Sequence, residues 1–213
     1  MNLHDYFDRV FIVHLPHHEV RKERLIRNLL ETGIADPNHV HWARAIYGDR
    51  CGVPNWFEAG GGAWGCLQSH LRIAQEAAMD GLTSYCVLED DVVFHERSPE
   101  MLERLMSNVP LDWGQIYLGG QHLKEPVPLD GNPSLYRCGN VNRTHAFALH
   151  QRAFRDFQMH IMNASDYMAN KAWHIDHQLG IAHENRLWNT YAPSWWLAGQ
   201  EDGDSSISGR NNP

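Results

Sequence analysis

The sequence predicts an α/β fold, and three features carry that expectation. Residues 9–15 form a compact apolar run of strand length, ended by Pro16. Val20, Leu25, Ile26, Leu29 and Leu30 then recur at helical spacing through residues 19–32, and Gly33 supplies the stop. A second strand over residues 39–46 completes the strand–helix–strand opening of an α/β domain.

The remaining elements follow in order. Residues 59–62, Ala-Gly-Gly-Gly, read as a flexible loop. Leu67, Leu71, Ala74 and Ala78 share one face of a helix over residues 64–79, closed by Gly81. Residues 84–88 are a buried strand that runs straight into Glu89, Asp90 and Asp91. Ser98 as cap, Pro99 at the first helical position and Glu100 in the first turn open a third helix. Residues 115–118 form a short strand ending at Gly119-Gly120, and the three prolines and one glycine of residues 124–133 mark a surface loop. A strand over residues 146–149 and helices over residues 151–161 and 171–183 follow, with a polar, glycine-rich tail after Gly199. No repeat, low-complexity tract or linker divides the 213 residues, so one domain spanning residues 1–213 is expected.

Composition narrows the function classes. A hydrophobic fraction of 43% with 21% charged residues suits a folded protein rather than a disordered chain. No apolar run approaches the ~18–20 residues of a membrane span. Residues 1–5 carry no basic segment leading into an apolar one, so no signal peptide is expected and a cytoplasmic location is. A net charge of −8 disfavours a large nucleic-acid footprint while leaving room for a local basic groove. Cys51, Cys66, Cys86 and Cys138 are scattered without a CxxC and read as reduced, mostly buried thiols. His14, His17 and His18 flank Pro16 with no adjacent cysteine or acid to complete a set, so no zinc site is expected there.

Glu89-Asp90-Asp91 is the most informative feature. Three adjacent like charges after a buried strand require compensation, and a hard divalent cation, Mg²⁺ or Mn²⁺, is the natural partner. Alternation in extended chain would point Glu89 and Asp91 to one side and Asp90 away. The end of a central strand is also where ligands sit in open α/β sheets. The competing reading is a solvated acidic turn.

Gly62-Ala63-Trp64-Gly65-Cys66-Leu67-Gln68-Ser69-His70, followed after 18 residues by Glu89-Asp90-Asp91, resembles glycosyltransferase family 25, which includes lipooligosaccharide and procollagen galactosyltransferases. Collinear pieces fit the same resemblance. They are the strand before Arg21 and Arg24, Ala45-Ile46-Tyr47-Gly48, Asp112-Trp113-Gly114-Gln115-Ile116-Tyr117-Leu118-Gly119, Thr144-His145-Ala146-Phe147-Ala148-Leu149, Ile175-Asp176-His177-Gln178-Leu179, and the closing Pro193, Gln200 and Ser206-Ile207. The resemblance implies a GT-A type, Rossmann-like domain with a mixed central sheet. It implies a nucleotide-sugar half over residues 1–120, an acceptor part over residues 121–213, a UDP-hexose donor, and transfer with inversion to a glycan hydroxyl such as that of a lipooligosaccharide.

The site residues follow from that resemblance. Asp91 is the expected direct ligand of Mn²⁺ or Mg²⁺, with Glu89 reaching the metal through water or touching the ribose, and Asp90 beside the donor. Asp176 is the expected base for the acceptor hydroxyl, its alternative being a helix cap. Arg21, Arg24 and Arg44 are candidate phosphate contacts, against a solvated helix face for the first two. Ser69 and His70 either touch the donor sugar or hold the acidic turn. Gln200, Asp202 and His183 are candidates to complete the metal shell, and Trp195-Trp196 either stacks on a sugar or belongs to the core. Competing functions are transfer to a hydroxymethylated DNA base, a non-catalytic sugar-nucleotide-binding domain, and a metal-dependent nucleotidyltransferase.

Overall fold

The computed structural model describes residues 1–163 and 174–201. The start of the expected helix at Lys171, the candidate ligand Asp202 and the Ser206-Ile207 match lie outside the described residues. The strands are β1 (Arg9–His14), β2 (His41–Arg44), β3 (Ser84–Glu89), β4 (Val92–Phe94), β5 (Gln115–His122), β6 (Val127–Leu129), β7 (Asn132–Arg137), β8 (Val141–His150), β9 (Thr190–Pro193) and β10 (Ala198–Gln200). The helices are α1 (Glu19–Thr32), α2 (Gly60–Met79), α3 (Ser98–Met106), α4 (Gln151–Met162) and α5 (Ile175–Glu184).

Eight strands form a mixed sheet in the order β2-β1-β3-β8-β5-β9-β7-β6. β1 pairs parallel with both β2 and β3, and β8 runs antiparallel between β3 and β5. The α/β class and the mixed central sheet expected from the sequence are therefore present. β4 and β10 pair separately as a two-stranded antiparallel ribbon.

Alternation along the strands builds two apolar layers. Phe11, Tyr85, Val87 and Phe147 face α2, α4 and α5 through Leu67, Ile73, Phe154, Phe157 and Leu179. Val10, Ile12, Cys86, Leu88 and Ala146 face α1 and α3 through Leu25, Leu29, Leu102 and Leu105. The sheet is thus covered on both faces, as runs of consecutive apolar residues in β1 and β3 require. On α1 the buried positions are Leu25 and Leu29, whereas Val20 and Leu30 are exposed.

Several local expectations are corrected. Gly60–Gly62 are the first turn of α2 rather than a loop. Their backbone meets the segment after β2: a Cβ on Gly48 would stand 1.5 Å from the Gly61 carbonyl oxygen, and one on Gly65 would stand 2.3 Å from that of Ile46. Glycine is present for close approach, and the helix tolerates it because that contact replaces what propensity loses. Ser98 is inside α3 rather than its cap, and its hydroxyl donates to the Leu197 carbonyl at 2.6 Å. The proline-containing segment expected as a loop is the β6–β7 hairpin at the sheet edge, where proline is allowed. β5 continues past Gly119 to His122, with irregular register at the glycines.

The Gly48 contact gives a direct test. Gly48→Ala should destabilise the fold by about 3 kcal/mol in chemical denaturation, since backbone must move to admit the methyl. Gly52→Ala, which meets nothing within 4 Å, should leave stability within about 0.5 kcal/mol.

Candidate functional site

β3 ends at Glu89, and alternation sends its last residues to opposite faces of the sheet. Glu89 turns toward α2: His70 Nε2 lies 3.2 Å from its Oε1, and the Thr144 hydroxyl of β8 donates to the same oxygen at 2.6 Å. Burial alone would raise the Glu89 carboxyl, yet the contacts from His70 and Thr144 hold it below its ordinary value. Asp90 turns toward the α1 side. Its Oδ2 lies 2.8 Å from His14 Nδ1, and Arg21 Nη1 donates to its Oδ1 at 3.2 Å. Both His14 and Asp90 are buried.

Asp91 is in the turn between β3 and β4 and is held more loosely. Its contacts are Arg21 at 3.4 Å and the Gln200 amide at 3.4 Å to each carboxylate oxygen. Burial first, then the charges of Glu89 and Asp90, push its carboxyl up to about 7 against the pull of Arg21 and Gln200. β10 brings Gln200 here by pairing with β4, and the Glu201 N–H donates to the Asp91 carbonyl at 2.8 Å.

These residues line a cleft of about 800 Å³, counting its open mouth. Its walls are Val13 and Leu15 after β1, His18 and Arg21 at the start of α1, Ile46 to Asp49 after β2, Gly62, Cys66 and Ser69 of α2, the three acids, and Gln200. Ser69 fixes one wall: its hydroxyl accepts from the Ile46 N–H at 2.8 Å and donates to the Gly65 carbonyl at 2.6 Å. Burial lowers the His18 pKa, although the Asp90 charge opposes this.

The other candidates sit as follows. Asp176 is in the first turn of α5, accepting from the Arg143 N–H at 3.2 Å and the His177 N–H at 2.9 Å. It is among the lining residues of neither this cleft nor the wider one beside Arg143. Arg24 is exposed and donates to Glu201 at 3.1 Å, and the exposed Arg44 offers its carbonyl to the Arg72 guanidinium. Neither lines the cleft. His183 is buried against Gln115 at 3.0 Å, on α5 away from the acids. Trp195 is 69% exposed on a separate groove. Trp196 stacks on His122 and lines a wider, open cleft with Arg143, His145, Gln200 and Glu201. The two clefts meet at Gln200.

Four residues of the site carried no role in the sequence reading. Thr144 and His145 lay inside the matched strand segment, and His14 was considered only as a zinc ligand. Arg143 had no signal: it adopts φ 77° within β8 and donates to Gln200 Oε1 at 2.9 Å. His145 is buried beside Glu89, and burial lowers its pKa while the Glu89 charge raises it.

A divalent cation fits the acidic corner. The donors are hard carboxylate oxygens, as Mg²⁺ and Mn²⁺ require. Burial raises the Asp91 carboxyl most, and the Glu89 and Asp90 charges that raise it further are ones a cation would offset. Among the described residues no helix is long and apolar enough to cross a membrane.

Comparison with known proteins converges on the same elements. The sequence model of Glycosyltransferase family 25 (LPS biosynthesis protein) matches residues 58–128, which hold α2, β3, the acidic turn and β5. Procollagen galactosyltransferase 1-B of Xenopus laevis is 31% identical over 147 residues, covering 57% of this chain and 23% of its own length. A human protein named inactive glycosyltransferase 25 family member 3 is 31% identical over 161 residues, covering 67% of this chain and 27% of its own. The chain thus spans about a quarter of the length of these curated relatives. Among solved structures, mannose-1-phosphate geranyltransferase from Thermus thermophilus superposes with a TM-score of 0.47 at 11% identity, over 87% of this chain and 72% of that one. A glycosyltransferase involved in glycosylating the major capsid of PBCV-1 superposes with a TM-score of 0.37 at 14% identity, over 75% and 65%. By sequence the chain is related to glycosyltransferase family 25, and the family match falls on the helix, strand and acidic turn that build the cleft.

Proposed function

We propose that the chain is a metal-dependent, inverting glycosyltransferase that moves a hexose from a UDP-sugar to a hydroxyl of a glycan acceptor. The single observation that carries this reading is Asp91: a half-buried carboxylate crowded by two more, in a cleft at the end of a strand that runs parallel to β1. Mn²⁺ or Mg²⁺ held by Asp91, with Glu89 behind it, would supply Lewis-acid stabilisation of the departing diphosphate. The galactosyltransferase name of one relative supports the hexose.

The chain's own groups divide the remaining work. Arg21 is the guanidinium of the cleft wall and is placed to meet a phosphate once its acids are neutralised. Ser69 and the glycines shape the wall, while His14 and Arg21 hold Asp90 as a strut. Arg24 and Arg44 stay at the rim. The cleft lined by Trp196, Arg143 and His145 serves as the acceptor side, with residues 1–120 as the donor half and residues 121–213 as the acceptor part of a single unit. The acceptor oxygen bonds to the anomeric carbon, the bond from that carbon to the UDP oxygen breaks, and Asp176 takes the hydroxyl proton. Two backbone N–H groups orient Asp176 for this, one on each oxygen. The four free thiols fit a reducing, cytoplasmic compartment.

UDP release from UDP-galactose and UDP-glucose, followed with and without Mn²⁺, tests the reading. Wild-type protein should release UDP only with metal, and Asp91→Ala should lose at least about 10³-fold of that rate. Metal-dependent UDP binding without release would instead favour a non-catalytic sugar-nucleotide-binding domain, a reading to which the relative named inactive lends weight.

Asp91 also sets a pH dependence. Its carboxyl rises from 3.8 to about 7 on folding, so the metal-free fold loses stability as pH climbs from about 4 to 7 and levels off above that. Asp91→Asn should therefore raise the melting temperature in EDTA at pH 8 and give no gain at pH 4. For the same reason Mn²⁺ affinity, measured by calorimetry, should fall about tenfold per pH unit below 7, as the proton competes for the carboxylate.

A further inference from the structure

Cys66, His70 and Glu89 bring a sulfur, an imidazole nitrogen and a carboxylate oxygen within 4.8 Å of one another on the cleft floor. The transfer reaction above makes no use of the thiol. Cys66 and His70 are four residues apart on α2, hence on one helical face, and the end of β3 points Glu89 at that face. Thr144 fixes the carboxylate by its 2.6 Å bond. His70 is only 1% exposed, and its Nδ1 has no hydrogen-bond partner among the described residues. Cys66 and Glu89 both line the cleft, so the group is open to solvent on one side.

A sulfur, an imidazole and a carboxylate do not suit Mg²⁺ or Mn²⁺. They are the donors of Zn²⁺ and Co²⁺, and three protein ligands with one open position make a common zinc arrangement.

We propose that Cys66, His70 and Glu89 form a thiolate-containing site for a transition metal of the Zn²⁺ class, which borders the hard-cation corner at Glu89 and does not use Asp91. On binding, the S–H bond breaks, a sulfur–metal bond forms, and the proton leaves to solvent. No electron is transferred.

Co²⁺ added to the reduced full-length chain should produce a near-ultraviolet thiolate-to-cobalt charge-transfer band that saturates at a single equivalent. Stoichiometric Zn²⁺ should bleach it. The band should persist in Asp91→Asn, vanish in Cys66→Ser, and require more than about tenfold higher Co²⁺ in His70→Gln. Wild-type protein offers a second readout that needs no variant. Zn²⁺ should protect Cys66 from iodoacetamide, read by mass spectrometry, while the exposed Cys51 labels at its usual rate. Absence of the band, a band that survives Cys66→Ser, or Cys66 labelling indifferent to Zn²⁺ would each overturn the proposal, whether or not Asp91 binds Mn²⁺.

Discussion

Three carboxylates in succession at the end of a buried strand are the constraint around which the cleft is organised. At separations of a few ångströms, unscreened like charges in a protein interior repel by several kcal/mol, so each needs its own partner. Glu89 takes a hydroxyl and an imidazole from β8 and α2. Asp90 takes an imidazole from β1 and a guanidinium from α1. The Asp91 carboxylate has, among the described residues, only 3.4 Å contacts. The order of neutralisation therefore leaves one oxygen donor pair under-compensated in a cleft that all three acids line. The cation site we propose would arise here as the residue of an incomplete charge balance, built from strands and helices whose first duty is to cover the sheet.

The second constraint is steric. Gly48, Gly61 and Gly65 let the start of α2 lie directly on the backbone after β2, and Ser69 pins that contact by accepting from the Ile46 N–H. Without it the cleft would lose the wall opposite the acids. The glycines cost helix propensity of about 1 kcal/mol each, and packing of α2 against the sheet through Leu67, Ile73 and Ala74 offsets this. The spacing of Gly62, Gly65, Cys66, Ser69 and His70 thus has a physical content: small residues face the loop, Ser69 ties it down, and the Cys66–His70 edge faces Glu89.

How much of this was legible in the sequence follows from which forces were local. α1 and the cores of β1 and β3 announce themselves because their apolar spacing is set by burial on two faces of one sheet. The helix start at Gly60 did not, since glycine's propensity argues for a loop and only the distant Gly48 backbone reverses it. The β6–β7 hairpin was hidden by prolines that an edge tolerates. β4, β9 and β10 are too short to show a period of two, and they exist because partners far along the chain supply their hydrogen bonds. Within the site, the acidic turn was visible as charge density. Of the partners of these acids, His70 was already a candidate to hold the turn, whereas His14 and Thr144 were not, because sequence separations of 76 and 55 carry no local signal.

Arg143 shows how the two clefts are kept in register. Its φ of 77° is a left-handed conformation that a long side chain adopts at a cost of order 1 kcal/mol. Two bonds hold it there: its N–H on Asp176 and its guanidinium on Gln200, which itself contacts Asp91. A regular β conformation at this position would turn the N–H or the side chain away from one of those partners. The strain is therefore a consequence of satisfying an α5 carboxylate and a β10 amide from one residue of β8. It ties the acidic corner to the first turn of α5 through one residue, whose backbone N–H meets Asp176 and whose side chain reaches Asp91 by way of Gln200.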